Sequence, residues 1–373
     1  MPSVLVAPDS FKGTLTAAEV AAAVSAGILR VRPDIDVVPL PVADGGEGTL
    51  AAAVAAGFER VAVTVSGPTG EPVRAAYARQ GDTAVVELAE ASGLTLLPGG
   101  VPAPLTAGSR GTGELMAAAV GDGCRRLVLG IGGSACTDGG AGLLQALGAR
   151  ILDDSGAEVA PGGAALEGAA ALDLSGLQPE LTGVEVVVAS DVDNPLLGER
   201  GAAAVYAPQK GADPGEVALL EAGLTRWAEL VAGETGADRS GEPGAGAAGG
   251  VGFAAVAVLG ATLRPGIELL LELTGFHRAL AGASLVVTGE GSLDGQTLHG
   301  KAPAGVAAAA TAAGVPVVAV CGRLALDPGQ LAAAGFAAAY PLTAESDDLA
   351  ECLERPGPLL ERIGARIARE HLG

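Results

Sequence analysis

The chain has few aromatic residues and few basic ones. Phe, Trp and Tyr make up 2% of its 373 residues, so alanine, valine and leucine have to fill the interior. There are 43 acidic side chains against 22 basic ones, which gives a formal net charge of −21. This charge opposes general attraction to the phosphates of nucleic acid and to anionic membranes. We therefore expect neither as a partner, whereas divalent cations are favoured.

Cysteine is scarce as well, and its spacing excludes the common metal motifs. The four cysteines show no CxxC pair and no zinc-ligand spacing, which predicts unpaired thiols in a reducing compartment. The first residues, "MPSVLVAPDSFKG", lack the basic segment of a signal peptide. Two uncharged runs, residues 243–263 and 302–322, are long enough to span a membrane. Both are rich in Ala and Gly, and we interpret them as core segments. The sequence thus predicts a cytoplasmic protein.

The N-terminal segment has the pattern of a βαβ unit. "SVLVAP" predicts a short buried strand, and "DVVPLPV" predicts the next one. Between them, Thr16 and Glu19 form a capping-box signature ahead of an apolar helical stripe. Such units build parallel sheets, whose ligands bind beyond the carboxyl ends of the strands.

The pattern changes after residue 58 and returns to βα alternation later in the chain. Short apolar segments separated by Gly-Pro and Gly-Asp turns predict antiparallel hairpins up to residue 97. We predict an α/β fold of two domains. Residues 1–60 and 281–373 form a doubly wound, mostly parallel-sheet (Rossmann-like) domain. Residues 61–280 form an inserted mixed α/β domain.

Lysine occurs only three times, against 19 arginines, and each lysine lies next to a glycine. Lys12, Lys210 and Lys301 are flexible point charges in glycine turns, which suits contact with phosphate. Codon bias that left three random lysines is the alternative. The only asparagine, Asn194, lies in another polar loop, "SDVDNP".

The segment "GQTLHGKA", residues 295–302, has the glycine and lysine spacing of a P-loop. Ala302 stands where a P-loop has Ser or Thr, and the segment begins several residues after its predicted strand. We interpret it as a phosphate-facing loop at a helix N-terminus, with Pro303 in the first turn. A purely structural turn is the alternative.

Two other glycine-rich segments resemble dinucleotide-binding loops. "GAGAAG", residues 244–249, matches GxGxxG but follows no predicted strand. "GIGGSA", residues 130–135, does follow a strand, and Asp153 lies about twenty residues on, as the dinucleotide motif requires. Asp138, however, would repel a pyrophosphate at the next helix. A nicotinamide-dependent dehydrogenase stays open as an alternative.

The segment "ASDVDNP" places two carboxylates after a continuous apolar strand. Asp191 and Asp193 are two positions apart, so in extended chain both side chains face one side. This suits a Mg²⁺ site, or one base beside one metal ligand. An Asx turn that closes on Pro195 is the alternative. Acidic loops, isolated lysines and glycine turns together indicate phosphoryl transfer by a Mg²⁺-dependent small-molecule kinase.

Seven motifs resemble the bacterial glycerate kinase family in order and spacing, from Pro2 to the C-terminus. They are "VLVAPDSFKGTLTAAEVA", "VADGGEGT", "SRGTGEL", "GIGGSACTDGGAG", "DVDNPLLGERGAAAVYAPQKGA", "GAGAAGGVG" and "TGEGSLDGQTLHGKAPAGVA". The resemblance implies two α/β domains and phosphorylation of glycerate with ATP and Mg²⁺. The chain departs from the family pattern at Cys136-Thr137, in place of Thr-Asn, and at Ser292, in place of Arg. If that Arg neutralises phosphate, Lys301 or Arg323 would carry its role.

We therefore predict an ATP- and Mg²⁺-dependent enzyme that converts D-glycerate to 2-phosphoglycerate, as a monomer or homodimer. The alternatives are a kinase that yields 3-phosphoglycerate, an NAD-dependent hydroxyacid dehydrogenase and a non-enzymatic sensor of organic acids. Asp191 is the predicted base, Lys12 the second catalytic residue, and Asp191 with Asp193 the metal ligands. The predicted glycerate contacts are Asp9, Ser10, Asp44, Gly45, Gly46, Glu47 and Arg110. The predicted nucleotide contacts are Gly289, Glu290, Gly291, Asp294, Thr297, Gly300, Lys301 and Lys210.

Overall fold

The structure is a computed structural model that describes residues 3–373, with the backbone alone at His299. Met1 and Pro2, with which the predicted first domain begins, lie outside the described residues. The chain forms two compact units. The first contains residues 3–44, 51–57 and 267–373, and the second contains residues 45–50 and 58–266.

Strands and helices alternate along most of the chain. The strands are β1 (Ser3–Val6), β2 (Asp36–Pro39), β3 (Glu59–Ser66), β4 (Pro72–Gln80), β5 (Thr83–Glu87), β6 (Arg126–Gly130), β7 (Arg150–Leu152), β8 (Ala171–Asp173), β9 (Glu185–Ala189), β10 (Thr262–Arg264), β11 (Ala283–Leu293), β12 (Val317–Leu324) and β13 (Phe336–Pro341). The helices are α1 (Ala17–Val31), α2 (Thr49–Ala55), α3 (Ala89–Ser92), α4 (Arg110–Gly121), α5 (Ala141–Ala146), α6 (Ala202–Tyr206), α7 (Pro214–Thr235), α8 (Ala247–Ala257), α9 (Gly266–Leu273), α10 (Phe276–Leu280), α11 (Ala302–Ala312), α12 (Pro328–Ala333), α13 (Leu349–Glu354) and α14 (Pro356–His371). Short 3-10 turns lie at Leu94–Leu96, Pro98–Gly100, Gly163–Gly168, Pro179–Leu181, Pro208–Lys210, Thr297–His299 and Leu342–Ala344.

The first unit is built on a five-stranded parallel sheet in the order β13-β12-β11-β1-β2. Helices cover both faces of this sheet. Val4 and Val6 of β1 pack in one core cluster with α1 and α14, whereas Leu5 packs in another with α9, α10 and α11. This alternation follows from the two-residue period of a strand, which sends successive side chains to opposite faces.

Helix α1 begins as the sequence predicted. The Thr16 side chain caps the backbone N–H of Glu19, and the Glu19 carboxylate accepts from the Thr16 N–H at 2.8 Å. Its apolar stripe is buried against α14, which it meets at two glycines. A Cβ on Gly27 would lie 2.1 Å from the Glu361 carbonyl oxygen, and one on Gly364 would lie 2.3 Å from the Val24 oxygen. Only glycine allows the two helices to approach this closely.

The second unit contains a six-stranded mixed sheet in the order β10-β9-β6-β5-β4-β3. The first four strands are parallel, while β4 and β3 join as antiparallel strands, so the predicted hairpins are confirmed. A separate antiparallel pair consists of β7 and β8. Helix α7 begins with a capping box between Asp213 and Glu216 and buries Trp227, whose Nε1 donates to the Gly139 carbonyl at 2.9 Å.

The prediction of an α/β fold rich in parallel strands is confirmed. The predicted second domain extends to residue 280, whereas in the structure the second unit ends at Gly266. The reason is apolar packing, because α9 and α10 place Ile267, Leu271 and Phe276 in a core cluster of the first unit. Within residues 3–373, no helix has the length and apolar character needed to cross a membrane. The four cysteines are free and buried.

Candidate active site

Charged side chains collect at one edge of the first unit's sheet. Because the strands are parallel, the loops after β1, β2 and β11 all leave from the carboxyl edge, where α/β proteins bind ligands. The β1 loop carries Asp9 and Lys12, the β2 loop carries Asp44, and the last residues of β11 include Glu290. The charges of Lys12, Asp44 and Glu290 all shift the pKa of the Asp9 carboxyl group. The structure therefore brings together predicted glycerate and nucleotide contacts.

Asp9 is the most buried charged group at this edge, with 5% of its surface exposed. Its backbone N–H donates to the Gly289 carbonyl at 2.8 Å, and the Ser10 N–H donates to its Oδ1 at 2.6 Å. Burial and the negative charges of Asp44 and Glu290 together raise the pKa of Asp9 to about 7. The Ser10 hydrogen bond and the Lys12 charge act in the opposite direction. Asp9 is therefore poised to exchange a proton near neutral pH.

Glu290 is held in the same edge by a hydroxyl group and a cation. The Thr297 Oγ1 donates to Glu290 Oε1 at 2.6 Å, and the Lys301 Nζ lies 3.8 Å from Oε2. Burial raises the pKa of Glu290, while the hydrogen bond from Thr297 and the charge of Lys301 lower it. Thr297 also accepts from the Asp294 N–H at 3.0 Å. The buried threonine thus holds the loop onto the strand.

The loop after β11 leads directly from the sheet into α11. Strand β11 runs to Leu293, so the expectation of several residues between strand and loop was wrong. Gly300 has a φ of +95°, a left-handed conformation that favours glycine, and Lys301 immediately precedes α11 with Pro303 in its first turn. The Ser292 hydroxyl donates to Asp294 at 3.2 Å. In the strand pairing, Arg323 of β12 lies opposite Ser292. An arginine therefore lies one strand away from the position where the family pattern has one.

Gly289 and Gly291 differ in what they allow. A Cβ on Gly289 would lie 1.9 Å from the Val320 carbonyl oxygen, so this glycine is required for packing against β12. A Cβ on Gly291 would meet nothing closer than 3.6 Å. The direct steric requirement therefore applies to Gly289.

In the second unit, Asp191 and Asp193 follow β9 but bind different partners. The Gly266 N–H donates to Asp191 Oδ1 at 3.0 Å, and the Arg200 guanidinium donates to Asp193 Oδ1 at 2.9 Å. Asp193 and Arg200 are mostly exposed, with 76% and 69% of their side chains accessible. Within the described part of the chain, no group of three or more His, Cys, Asp or Glu side chains is arranged to hold a metal ion. The two carboxylates predicted to bind a metal ion thus accept hydrogen bonds from two different protein groups.

Lys210 and Asn194 bind protein groups in the structure. The Lys210 Nζ is buried and donates to Ser134 Oγ at 2.9 Å and to the Cys136 carbonyl at 2.5 Å. Burial lowers the pKa of Lys210. We predicted a nucleotide contact for this lysine, but its ammonium group is directed at the interior. The Asn194 side chain donates to the Arg200 carbonyl and accepts from Tyr206.

The "GIGGSA" loop has glycines because another backbone segment lies against it. A Cβ on Gly132 would lie 2.5 Å from the Gly46 Cα, and one on Gly130 would lie 2.8 Å from the Gly45 carbonyl oxygen. Asp138 accepts from Gly140 and Gly142 N–H groups at the start of α5, at 3.1 and 3.2 Å. A carboxylate thus occupies the place of a pyrophosphate, which agrees with the repulsion inferred from the sequence.

The "GAGAAG" match also has a packing explanation. Ala248, Gly249 and Gly250 are consecutive left-handed residues at the start of α8, with φ of 52°, 66° and 93°. A Cβ on Gly249 would lie 2.1 Å from the Cys136 carbonyl oxygen. These glycines serve close backbone packing within the second unit.

Glu47 lines a polar cavity of about 440 Å³ within the second unit. Two arginines and two further carboxylates share the lining, namely Arg60, Arg74, Glu87 and Glu90. Arg60 pairs with Glu90 at 3.2 Å, whereas the Arg74 side chain makes no hydrogen bond or ion pair with any residue of 3–373. Arg110, a predicted glycerate contact, begins α4 and pairs with Glu114 at 3.2 Å.

Glu87 holds the loop that contains Glu47. Its two carboxylate oxygens accept from the Gly48 and Leu50 N–H groups at 3.2 and 2.8 Å. Burial raises the pKa of Glu87 to about 7, against the effect of these hydrogen bonds. Sequence reasoning missed Glu87, Arg60 and Arg74 because no motif contains them. Strand pairing was the available signal, since the register places Arg60 and Arg74 on one face of β3 and β4.

A buried carboxyl group, two lysines and a helix N-terminus at the carboxyl edge of a parallel sheet indicate an α/β enzyme that handles phosphate. The model of the glycerate kinase family matches residues 4–372. The glycerate kinase of Bacillus subtilis (strain 168) is 45% identical over 98% of this chain and 96% of its own length. The glycerate 2-kinase of Escherichia coli (strain K12) is 44% identical over 98% of this chain and 97% of its own length.

A crystal structure of a Salmonella typhimurium LT2 protein, assigned as glycerate kinase 2, matches with a TM-score of 0.86. It is 42% identical and the match covers 99% of this chain and 97% of that one. The chain belongs to the glycerate kinase family and is a kinase. This finding replaces the dehydrogenase and sensor alternatives.

Proposed function

We propose that the protein transfers the γ-phosphoryl group of ATP to D-glycerate and releases 2-phosphoglycerate, with Mg²⁺ as the required cation. The main support for this proposal is that Asp9, Lys12 and Asp44 lie together at one sheet edge in a member of the glycerate kinase family. The name of the Escherichia coli relative, glycerate 2-kinase, supports transfer to the C2 hydroxyl.

Lys12 and Asp44 would bind glycerate, whose carboxylate needs a cation and whose hydroxyl groups need acceptors. Lys12 is exposed and directly follows the loop residues Ser10 and Phe11, so its side chain can reach a ligand at this edge. Ser10 would contribute its position beside Asp9. The predicted glycerate contacts of the second unit are Gly45, Gly46, Glu47 and Arg110.

The segment from Asp294 to Lys301 would bind the nucleotide phosphates. The fit rests on the Lys301 charge, the left-handed turn at Gly300 and the N-terminus of the 11-residue helix α11. Glu290 would hold Lys301 in place through their 3.8 Å contact. Gly289, Gly291 and Thr297 would shape the loop, whereas the burial of Lys210 argues for a supporting role.

The donor set suits a Mg²⁺ ion that keeps most of its ligands from phosphate and water. Mg²⁺ in kinases is held by one or two carboxylates together with substrate phosphates, and it neutralises the charge that develops during transfer. Asp191 and Asp193 are the carboxylates that we assign to it. In the structure, Asp191 Oδ1 accepts from the Gly266 N–H and Asp193 Oδ1 accepts from the Arg200 guanidinium.

We further propose that the two compact units correspond to a Rossmann-like domain formed by both chain ends and an inserted mixed α/β domain. The five-stranded parallel sheet with helices on both faces supports the first assignment. The antiparallel β3–β4–β5 segment beside parallel strands supports the second. The assembly would be a monomer or a homodimer.

The test is ³¹P NMR of the purified protein with ATP, Mg²⁺ and D-glycerate, with an EDTA control. We expect a metal-dependent 2-phosphoglycerate resonance together with ADP. A 3-phosphoglycerate resonance would keep the kinase and correct the position of transfer. Absence of any phosphoester from folded protein would contradict glycerate as the substrate.

A further inference from the structure

We propose that Asp9 is the catalytic base that accepts the proton of the glycerate hydroxyl group during phosphoryl transfer. The inference rests on the proposed function and assigns one chemical step within it. The sequence had assigned this step to Asp191, and it had placed Asp9 among the glycerate contacts.

The backbone around Asp9 is held on both sides. Its N–H donates to the Gly289 carbonyl of β11 at 2.8 Å, and Phe11 donates to the Leu15 carbonyl at 2.9 Å across the loop that follows. A group held in this way keeps its position when substrate binds, which proton transfer requires. Fixed attachment to the sheet edge is therefore the first requirement that Asp9 meets.

The carboxyl group also has an oxygen available. Oδ1 accepts from the Ser10 N–H at 2.6 Å, and no donor among residues 3–373 reaches Oδ2. Lys12 acts on the same carboxyl group electrostatically, so a glycerate carboxylate bound by Lys12 would bring its hydroxyl groups to Asp9. This combination of a substrate cation and an acceptor in one loop favours Asp9 over Asp191.

The electrostatic surroundings give Asp9 the proton affinity of a working base. Burial and the carboxylates of Asp44 and Glu290 raise its pKa to about 7, while Ser10 and Lys12 limit the shift. A general base works best when its pKa lies near the operating pH. An ordinary exposed aspartate, with a pKa near 3.9, would be a much weaker acceptor.

In the reaction step, the glycerate hydroxyl oxygen forms a bond to the γ-phosphorus of ATP as the bond from that phosphorus to the ADP oxygen breaks. The hydroxyl proton moves to Asp9 Oδ2, and ADP leaves with the electron pair of the broken bond. Asp9 later releases the proton to water. The carboxylate is restored and no other reactant is consumed.

The first experiment compares Asp9→Asn with Asp36→Asn in the NMR assay and in steady-state kinetics from pH 5 to 9. Asp36 lies on the neighbouring strand β2 at the opposite edge of the sheet and is exposed, so it is a matched control. Asp9→Asn should lower kcat by about 10²–10⁴-fold and remove the decline of activity below pH 7. Asp36→Asn should leave both unchanged, and Asp9→Glu should restore part of the rate.

The second measurement separates a catalytic role from a structural one. A raised pKa means that folded protein binds more protons than unfolded protein between about pH 4 and 7, so this group reduces stability as the pH rises through that window. Asp9→Asn keeps an acceptor for Ser10 and removes the buried charge. It should therefore raise the melting temperature at pH 8 and leave it unchanged below pH 4.

Loss of activity with gain of stability would establish Asp9 as a residue kept for catalysis. Loss of both would mean that Asp9 supports the fold. Wild-type kcat in Asp9→Asn, with Asp191→Asn inactive and lacking the acid limb, would return the role to Asp191. A wild-type protein that does not phosphorylate D-glycerate would contradict the proposed function instead.

Discussion

Replacing Lys12 by methionine is expected to lower kcat/KM for phosphoryl transfer to glycerate by about 10²–10³-fold. Lys12 is exposed at the carboxyl edge of the first sheet and is the cation that acts on Asp9. Methionine keeps an unbranched apolar stem that is one atom shorter, and it removes the charge. Steady-state kinetics against both substrates would separate weaker glycerate binding, seen as a higher KM, from a slower chemical step.

The same variant should change the pH dependence in a defined direction. Lys12 lowers the pKa of Asp9, so its removal should move the acid limb of the rate profile to higher pH. Lys12→Arg retains the charge and should lose less activity, although guanidinium geometry differs from that of ammonium. Arg278→Met removes an exposed cation from α10 of the same unit and serves as the control. An unshifted acid limb in Lys12→Met would contradict the coupling between Lys12 and Asp9.

Replacing Asp138 by alanine is expected to lower the free energy of unfolding by about 3–5 kcal/mol. Asp138 is 1% exposed and accepts from the N–H and Oγ of Ser109, both at 2.8 Å, besides its two bonds at α5. Its negative charge also acts on the buried ammonium group of Lys210. Alanine would leave these donors buried without an acceptor, so denaturant unfolding should show a much lower midpoint.

Asp153→Ala is the matched control for Asp138→Ala. Asp153 also accepts from one serine through its N–H and Oγ, at 2.8 and 2.6 Å, but it lies in a surface turn. Water can replace those bonds, so we expect a much smaller loss of stability. Equal losses in the two variants would show that burial of Asp138 is not what makes its bonds important.

The elements most reliably predicted from the sequence were those with a local physical cause. The Thr16–Glu19 capping box predicted the start of α1, because capping depends on residues three positions apart. The Gly-Pro and Gly-Asp turns predicted the hairpins of β3, β4 and β5 for the same reason.

What the sequence could not predict depends on contacts between distant segments. The burial of Lys210 follows from Ser134 and Cys136, more than 70 positions away. The small size of Gly132 reflects the approach of Gly46, not a pyrophosphate. Residues from three strands, from α3 and from the neighbouring loops together line the cavity that contains Arg60 and Arg74, and no single motif includes them.

The candidate site divides in the same way. Asp9, Lys12, Asp44 and Glu290 were recognised as polar residues after predicted strands, because parallel sheets present such positions at one edge. Their electrostatic coupling, and the raised pKa of Asp9 that results, needed the three-dimensional arrangement. The two-residue period of extended chain likewise could not predict that Asp191 and Asp193 have different hydrogen-bond partners.

The contact between α1 and α14 imposes an order on folding during synthesis. Gly27 precedes the second unit along the chain and Gly364 follows it, so α1 and α14 cannot meet until the whole second unit has been made. Every residue of the second unit has left the ribosome once Gly266 has emerged. The second unit, although it begins later in the chain than the first, is therefore the first that can fold, since domains fold as units during synthesis. Before β11 has been made, β1 can pair only with its other neighbour in the sheet, β2.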